Sequence, residues 1–512
     1  MNGATVRGRT LRVSRGLVVV ISLAPTLVYL VVALRRIGYP YELEWLEGGA
    51  AEIAGRVAHG QAIYVAPSIH YVPYPYTPLY FWVTGTLARF IGVGFLPLRL
   101  VSLLSSLGSC AMLVRIVWRE TSDVVAGVVA SGLYTATFAV SGAWFDIGRV
   151  DSLALLLLLV ALYMARRADG ISGGLVVGAL VFVAFLAKQS DLIAAAPVVL
   201  WLVFTRRRAG VTALVTSAVL VVGSTIVLNG LTDDWYGYYV FEELFRQGVV
   251  HSVWRTFFTK DLWHIPWAIG LGAAGLALSL RHRRASSIDW LYGASTIVGL
   301  LGSSLVSRLH SGGGPDVLMP AFAAAALFGA FGYDAVLRFA TRPSRQGSAE
   351  GAWPGRGSWM PGVAGALLSV VVAVQVGALH YSPSRFIPTP SDATAGRAFI
   401  DQVRRTRGTV IVVNHPYYDT LAGKASFAQG EAMHDIMRAG PSLARRDLDS
   451  SVDAFLRSSQ RATVYSDYPN FALGIYSDPY FSLTPTKVFS CARCFYPVTD
   501  LELRPAYRFV RR

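Results

Sequence analysis

Apolar runs return eleven times along this chain, at residues 16–34, 97–117, 124–143, 153–165, 173–187, 192–205, 211–228, 262–280, 290–306, 317–337 and 362–379. About 20 apolar residues at 1.5 Å each span a hydrocarbon layer of ~30 Å, so runs of this kind restrict the chain to a bilayer. Composition agrees, since only 15% of the residues are charged and 53% are hydrophobic, with a mean hydropathy of +0.46. A soluble domain carries about a quarter charged residues. We therefore expect an α-helical polytopic membrane protein with about 11 transmembrane helices. A further apolar stretch, 79–93, is short and carries Arg89, which suits a helix lying at the membrane surface.

Arginine sets the orientation. Arg7, Arg9, Arg12 and Arg15 precede the first run, which is too long for a signal-peptide core and has no small-residue cleavage site before Arg35 and Arg36. It reads as a retained first span. With that basic end inside, the inner connections collect Arg115, Arg119, Arg166, Arg167, Arg206, Arg207, Arg208, Arg281, Arg283, Arg284, Arg338, Arg342 and Arg345. The expected location is the cell membrane, multi-pass, with the N-terminus cytoplasmic and the C-terminal region outside. The net charge of +15 sits in these clusters and no nucleic-acid motif accompanies it, so nucleic acid is not an expected partner. The same alternation puts Glu44, Glu47, Asp146, Arg149, Asp151, Lys188, Asp191, His310 and Asp316 on the outer side.

Two regions follow. We expect residues 1–381 to form a transmembrane region, with a first outer loop at 36–96 and a Gly/Pro/Ser-rich cytoplasmic linker at 343–361. Residues 382–512 form an extracytoplasmic tail, in which strand-like stretches at 409–414 and 462–466 alternate with helical ones at 394–406 and 448–458, as in a small α/β domain. Three cysteines exclude a disulfide scaffold. Cys491 and Cys494 lack the second pair that a zinc site wants, and outside the cytoplasm they suit a local disulfide.

Four stretches can carry chemistry. The loop 39–82 holds Glu42, Glu44 and Glu47 directly after the first run, and Glu44 and Glu47 are spaced to share a helix face beside Gly48 and Gly49. A carboxylate held away from water can act as a general base, although a helix start favours glutamate for its dipole alone. Asp146, Arg149 and Asp151 stand at the mouth of one span, as a structural ion-pair cluster or a binding site. Lys188, Gln189 and Asp191 join two spans so short that Lys188 should sit just below the outer surface, where it can neutralise a lipid phosphate or reach up to the headgroups. Arg308 and His310 precede Gly312, Gly313 and Gly314, a backbone suited to close approach of an anion and equally to a turn before a helix.

Taken in order, several motifs resemble those of the GT-C superfamily of polyprenyl-phosphate-sugar glycosyltransferases, which includes protein O-mannosyltransferases and the lipid A aminoarabinose transferase. They are the acidic loop, Gly60 to Tyr64, YPYTPLYFW from Tyr74, GRVDSLAL from Gly148, FLAKQS from Phe185 and SRLHSGG from Ser307. The resemblance covers roughly the N-terminal two-thirds. It implies an acidic base in the first outer loop, a sugar carried on a lipid phosphate, and inversion at the anomeric carbon. Counting back from Gly60, Glu47 falls on the second acid of the family's Asp-Glu pair, Leu46 replaces the first, and Glu44 lies one turn earlier. Glu44 and Glu47 are thus the candidate catalytic residues. Arg149, Asp151, Lys188, Gln189, Arg308 and His310 are the candidates for donor phosphate and substrate.

The scheme requires no metal or other cofactor, although the acids could hold a divalent ion. Expected partners are a polyprenyl-phosphate-linked sugar and a glycan, lipid or protein acceptor. The rival reading is a polytopic transporter or lipid-linked-sugar flippase, which would show paired broken helices in two related halves. A third is a membrane protein that only presents its tail to a partner. For the tail we expect a role in acceptor selection, through Tyr417, Tyr418, Tyr465, Tyr468 and Tyr480, or a small core built of the same aromatics.

Overall fold

A computed structural model describes residues 3–281, 289–341, 360–458, 462–469, 485–499 and 501–510. The expected linker up to residue 359, Arg283, Arg284, Arg342, Arg345 and Tyr480 lie outside the described residues.

Among the described residues, seven helices are long and apolar enough to cross a membrane: Leu11–Arg36, Phe95–Thr121, Gly170–Ala187, Arg207–Leu231, Trp290–Leu309, Pro315–Thr341 and Pro361–Ala378. Val253–His264 and Pro266–Arg281 form a further, broken element bent by 89°. Pro266 stands at the break, where a residue without an N–H interrupts a helix at least cost. Three shorter apolar helices, Val124–Ala136, Asp151–Ala165 and Asp191–Thr205, coincide with the remaining apolar runs. One run ends early. The stretch 124–143 is helical only to Ala136; turns follow, and the chain then passes through Gly142 and Ala143, both with positive φ (73° and 61°).

Small residues let these helices touch. A Cβ on Gly174 would stand 2.5 Å from the Ala209 carbonyl, and one on Gly275 would stand 2.4 Å from Gly332 Cα. Backbone contact of this kind replaces the hydrophobic drive that lipid removes. The apolar stretch of Pro315–Thr341 is 89% buried and that of Arg207–Leu231 only 11%, so the first is the inner helix of the bundle and the second faces outward.

Above the bundle lie two short helices of the first outer loop, Glu47–Ala58 and Leu79–Ile91. They pack at Gly85, where a Cβ would meet the Ala54 carbonyl at 2.7 Å. Arg89 ties them by donating to the Val57 and Ala58 carbonyls at 2.8 and 3.1 Å, which caps the end of the first helix.

The tail carries β1 (Thr409–Val412), β2 (Ala462–Ser466), β3 (Thr486–Lys487) and β4 (Tyr507–Val510), in the spatial order β1-β2-β4-β3. β1 and β2 are parallel and the other pairs antiparallel. Helices Pro390–Arg405 and Leu443–Ser458 precede β1 and β2, close to where helical and strand-like patterns alternate in the sequence. Thr389 and Asp392 form a capping box at the first of them. Cys491 and Cys494 are joined by a disulfide.

The tail is not a bead on a string. Ile411, Val413, Phe427 and Met433 belong to the same apolar cluster as Ala51, Ile53, Tyr74 and Phe95 of the loop and bundle. Thr499 donates from both its backbone N and its hydroxyl to the Leu43 carbonyl, at 3.1 and 2.9 Å. Of the aromatics expected at the tail surface, Tyr417, Tyr418 and Tyr465 are buried in that packing, whereas Tyr468 is 46% exposed. Burying a ring removes far more apolar area from water than exposing it for stacking, and the small sheet needs that area.

Candidate active site

The first outer loop is held from below by an arginine. Arg99 lies in the first turns of Phe95–Thr121, is fully buried, and grips Glu47 with two bonds, Nε to Oε1 at 3.1 Å and Nη2 to Oε2 at 2.7 Å. It also donates to the carbonyls of Tyr39 and Tyr41 at 2.5 and 2.6 Å. Glu47 accepts two backbone amides as well, from Leu43 and Gly148, both at 2.7 Å. Burial alone would raise the Glu47 carboxyl; Arg99 and the two amides outweigh it and hold the group below the usual carboxylate range. Each oxygen therefore has two donors, and the side chain is an anchor.

A second such anchor stands beside it. Arg36 is buried and bidentate to Asp146 at 2.8 and 2.7 Å, and it also donates to the Ala143 carbonyl at 2.7 Å. The first carboxylate of the DIGRVD stretch, Asp146, is thus a structural partner that ties the turn carrying Arg149 to the end of the first helix.

Glu44 points the other way. Its Oε2 accepts the Leu46 amide at 3.1 Å and lies 4.0 Å from Arg149 Nη1. Arg149 Nη2 donates to the Tyr76 hydroxyl at 2.9 Å, and its guanidinium covers the Trp144 ring at 4.7 Å. Tyr76 is pushed up to about 12 by burial, with Arg149 pulling the other way, so its phenol keeps its proton. Tyr74 backs the corner, donating to the Leu46 carbonyl at 2.9 Å and closing against Gly49. The YPYTPLYFW stretch therefore forms the wall beside Glu44 and Arg149.

On the bundle side, Lys188 hydrogen-bonds Asp151, and Gln189 donates to the Pro75 carbonyl at 2.8 Å. A cavity of about 10 Å³ lies between Asp151, Lys188, Asp191, Ser303 and Ser307. That is room for one water-sized occupant. Arg149 Nε, Gln189 Oε1 and Asp191 Oδ2 are buried and find no hydrogen-bond partner among the described residues. Buried polar atoms are almost always paired, so each of these three is a point at which a polar ligand can be met.

Glu44, Arg149, Asp151, Lys188 and Gln189 thus come together. Arg308 and His310 take a different place: Arg308 donates to Asp261 at 3.0 Å and to the Gly313 carbonyl, and His310 Nε2 pairs with the Leu244 carbonyl at 3.2 Å. They shape the glycine loop, and it is the loop backbone at Gly314 that meets Asp316 and Trp144. Among the described residues, no three His, Cys, Asp or Glu side chains form a metal-ligand set. Glu44 and Glu47 are not arranged to share an ion, since Arg99 and two amides already occupy Glu47.

Sequence reading passed over Arg99, although an arginine inside an apolar run is a signal in itself. It also left Glu42 without a role. Glu42 reaches the tail, where its Oε2 hydrogen-bonds His415 Nδ1 while His415 Nε2 lies 3.1 Å from Asp467 Oδ1. No local pattern marks that pairing.

With this geometry in hand, likenesses to known proteins are informative. Residues 73–230 match the dolichyl-phosphate-mannose-protein mannosyltransferase family. The fold is similar to that of ArnT from Cupriavidus metallidurans bound to undecaprenyl phosphate, with a TM-score of 0.55 at 15% identity, covering 97% of this chain and 98% of the other. It is equally similar to ArnT from the same organism in the apo state, with a TM-score of 0.56 at 16% identity and 97% of each chain covered. No curated protein matches in sequence. The structural likeness extends through the tail, beyond the two-thirds that the motifs reach.

Proposed function

We propose that this chain, a multi-pass membrane protein with the GT-C fold, is a glycosyltransferase that takes a sugar from a polyprenyl-phosphate carrier. The neighbour in fold holds undecaprenyl phosphate, and the same class of carrier is the donor expected here. The reaction we infer is a direct displacement on the outer face, with the N-terminus cytoplasmic and the tail outside, as the arginine alternation supports.

Glu44 is the base in this reading. Four hydrogen bonds already fill Glu47, whereas Glu44 is buried and turned toward Arg149, which lies 4.0 Å away and also holds the Tyr76 hydroxyl. That contrast carries the assignment. The acceptor hydroxyl gives its proton to Glu44, and its oxygen attacks the anomeric carbon from the face opposite the phosphate. The bond from that carbon to the phosphate oxygen breaks with its electron pair on the oxygen, so configuration inverts. Arg149 offsets the charge gained by the leaving phosphate, and Lys188, steadied by Asp151, adds to it. Asp151 already balances much of the Lys188 charge, so Arg149 has the larger share.

The test is transfer by the purified full-length protein from undecaprenyl-phosphate-linked hexoses and pentoses. Glu44→Gln should lower turnover by about a hundredfold or more, the scale of a lost general base, with the protein still folded. Full turnover in that variant would remove Glu44 from the mechanism. Lys188→Met should weaken donor binding more than acceptor binding.

A further inference from the structure

Because β1 and β2 are parallel neighbours, their C-terminal ends lie side by side. His415 follows one and Asp467 the other. The crevice beyond the carboxyl ends of parallel strands is where α/β sheets commonly hold a ligand. Here the occupant is a side chain of the first outer loop. Glu42 Oε2 hydrogen-bonds His415 Nδ1, Asp467 Oδ1 meets His415 Nε2 at 3.1 Å, and Asn414 Nδ2 donates to Asp467 Oδ2. The three ionisable side chains are at most 2% exposed. Tyr418 stacks on the imidazole at 5.4 Å and accepts the Glu42 amide at 3.4 Å. On its far side Glu42 presses on Gly48, where a Cβ would stand 2.1 Å from Oε1.

Burying three ionisable groups is costly, and it is not required to dock the tail, which the shared apolar cluster and Thr499 already hold. What the cluster does is complete the restraint of one short peptide. Arg99 holds the carbonyls of Tyr39 and Tyr41, Glu47 holds the Leu43 amide, and Thr499 holds the Leu43 carbonyl. Glu42 is the remaining link, and it is tied to His415. We infer that His415 is a positioning residue for sugar transfer, fixing through Glu42 the direction in which Glu44 faces Arg149. This rests on the reading of Glu44 as the base. The tail is then part of the active-site framework, and its role is wider than acceptor choice.

The groups facing His415 are Glu42 from the loop, Asp467 from the end of β2, and Tyr418 and Asn414 from its own turn. Glu47 lies behind Glu42 and is neutralised by Arg99. Two carboxylates around one ring outweigh its burial and push His415 up to about 10, so at neutral pH it is an imidazolium. Both its N–H groups are needed for the bridge, which a glutamine cannot reproduce.

The experiment uses the full chain in lipid nanodiscs, with whichever undecaprenyl-phosphate-linked hexose or pentose the wild type turns over fastest. His415→Gln should lower kcat on the order of ten- to a hundredfold, the cost of a base displaced by about 1 Å, and leave the donor KM within about twofold. In a Glu44→Gln background the same change should cost nothing further, since a positioning residue acts only through the group it positions. A loss that multiplies equally in both backgrounds, or a KM change without a kcat change, would overturn the proposal. Asp467→Asn provides the same comparison if the His415 variant fails to fold. Amide exchange in residues 39–47 reads the restraint without any donor, so it stands even if the wild type transfers no sugar, the result that would sink the proposed function instead. Exchange there should quicken about tenfold or more in His415→Gln while the Phe95–Thr121 helix is unchanged; equal protection in both proteins would rule out the restraint.

Discussion

Two buried cations grip the same loop from opposite sides, and they differ in kind. Arg99 rises from the membrane bundle and holds Glu47 with a planar, two-pronged fork. His415 descends from the tail and holds Glu42 with a ring whose charge can be removed. The first clamp is a fixed foundation and the second is conditional. The comparison shows how a loop can be rigid enough for chemistry and still depend on the state of a region more than 300 residues away.

The largest effect should come from the foundation. Arg99→Met leaves the Glu47 carboxylate and two carbonyls buried without their donor, and breaking a buried pair in this way costs about 3–5 kcal/mol. We expect poor expression and a markedly lower melting temperature in detergent; a variant that melts like wild type would show that the pair carries little of the fold. Glu44→Gln, between the two clamps, should leave melting unchanged and remove about a hundredfold in turnover.

Next comes the contact between the clamps. Gly48→Ala drives a methyl group into Glu42 Oε1, and overpacking of this sort costs about 1–3 kcal/mol. Activity should fall with it, because the displaced carboxylate is the one His415 holds. An unchanged melting curve with full activity would mean that Glu42 has other space to occupy.

The pH dependence separates the two clamps by sign. Glu47 is held below its ordinary value, so its contribution is present above about pH 4.5 and is lost as pH falls through the lower folded value. His415 is raised to about 10, so its contribution is full below an unfolded value of about 6.5 and is lost as pH rises through 10. Glu42 is pushed up to about 7 by burial, partly opposed by His415, and it acts in the same direction as His415. Melting temperature should therefore decline from about pH 4.5 through 7 as Glu42 ionises and onward toward 10 as His415 loses its proton, and His415→Gln should flatten the part between about pH 7 and 10 while leaving the acid limb of Glu47 in place. A decline of equal slope in the variant would assign it to other groups.

Much of the fold was legible because hydropathy is a local property. All of the apolar runs became helices; the run 124–143 leaves the helix after Ala136 and turns on through Gly142 and Ala143, where the backbone enters a region that hydropathy does not register. In the tail, β1, β2 and the helices before them were legible from their patterns. β3 is two residues long, too short to carry a period, and β3 and β4 are held by antiparallel pairing with each other and, for β4, with β2. At the candidate site, the acidic loop and the residues Arg149, Asp151, Lys188 and Gln189 stood out in the sequence as charged or polar groups next to a bilayer, where each needs a reason to remain.

By itself, then, the sequence determined the membrane architecture, the order of its polar loops and the set of ionisable side chains available to a reaction. Only the tertiary structure decided which of them are partners. Arg99 meets Glu47 across 52 residues, Arg36 meets Asp146 across 110, and His415 meets Glu42 across 373. The residues offered several plausible pairings for each carboxylate. In a buried site of low dielectric, an ångström of separation and the count of remaining donors decide whether a carboxylate becomes an anchor or a base, and neither quantity is written in the spacing of residues along the chain.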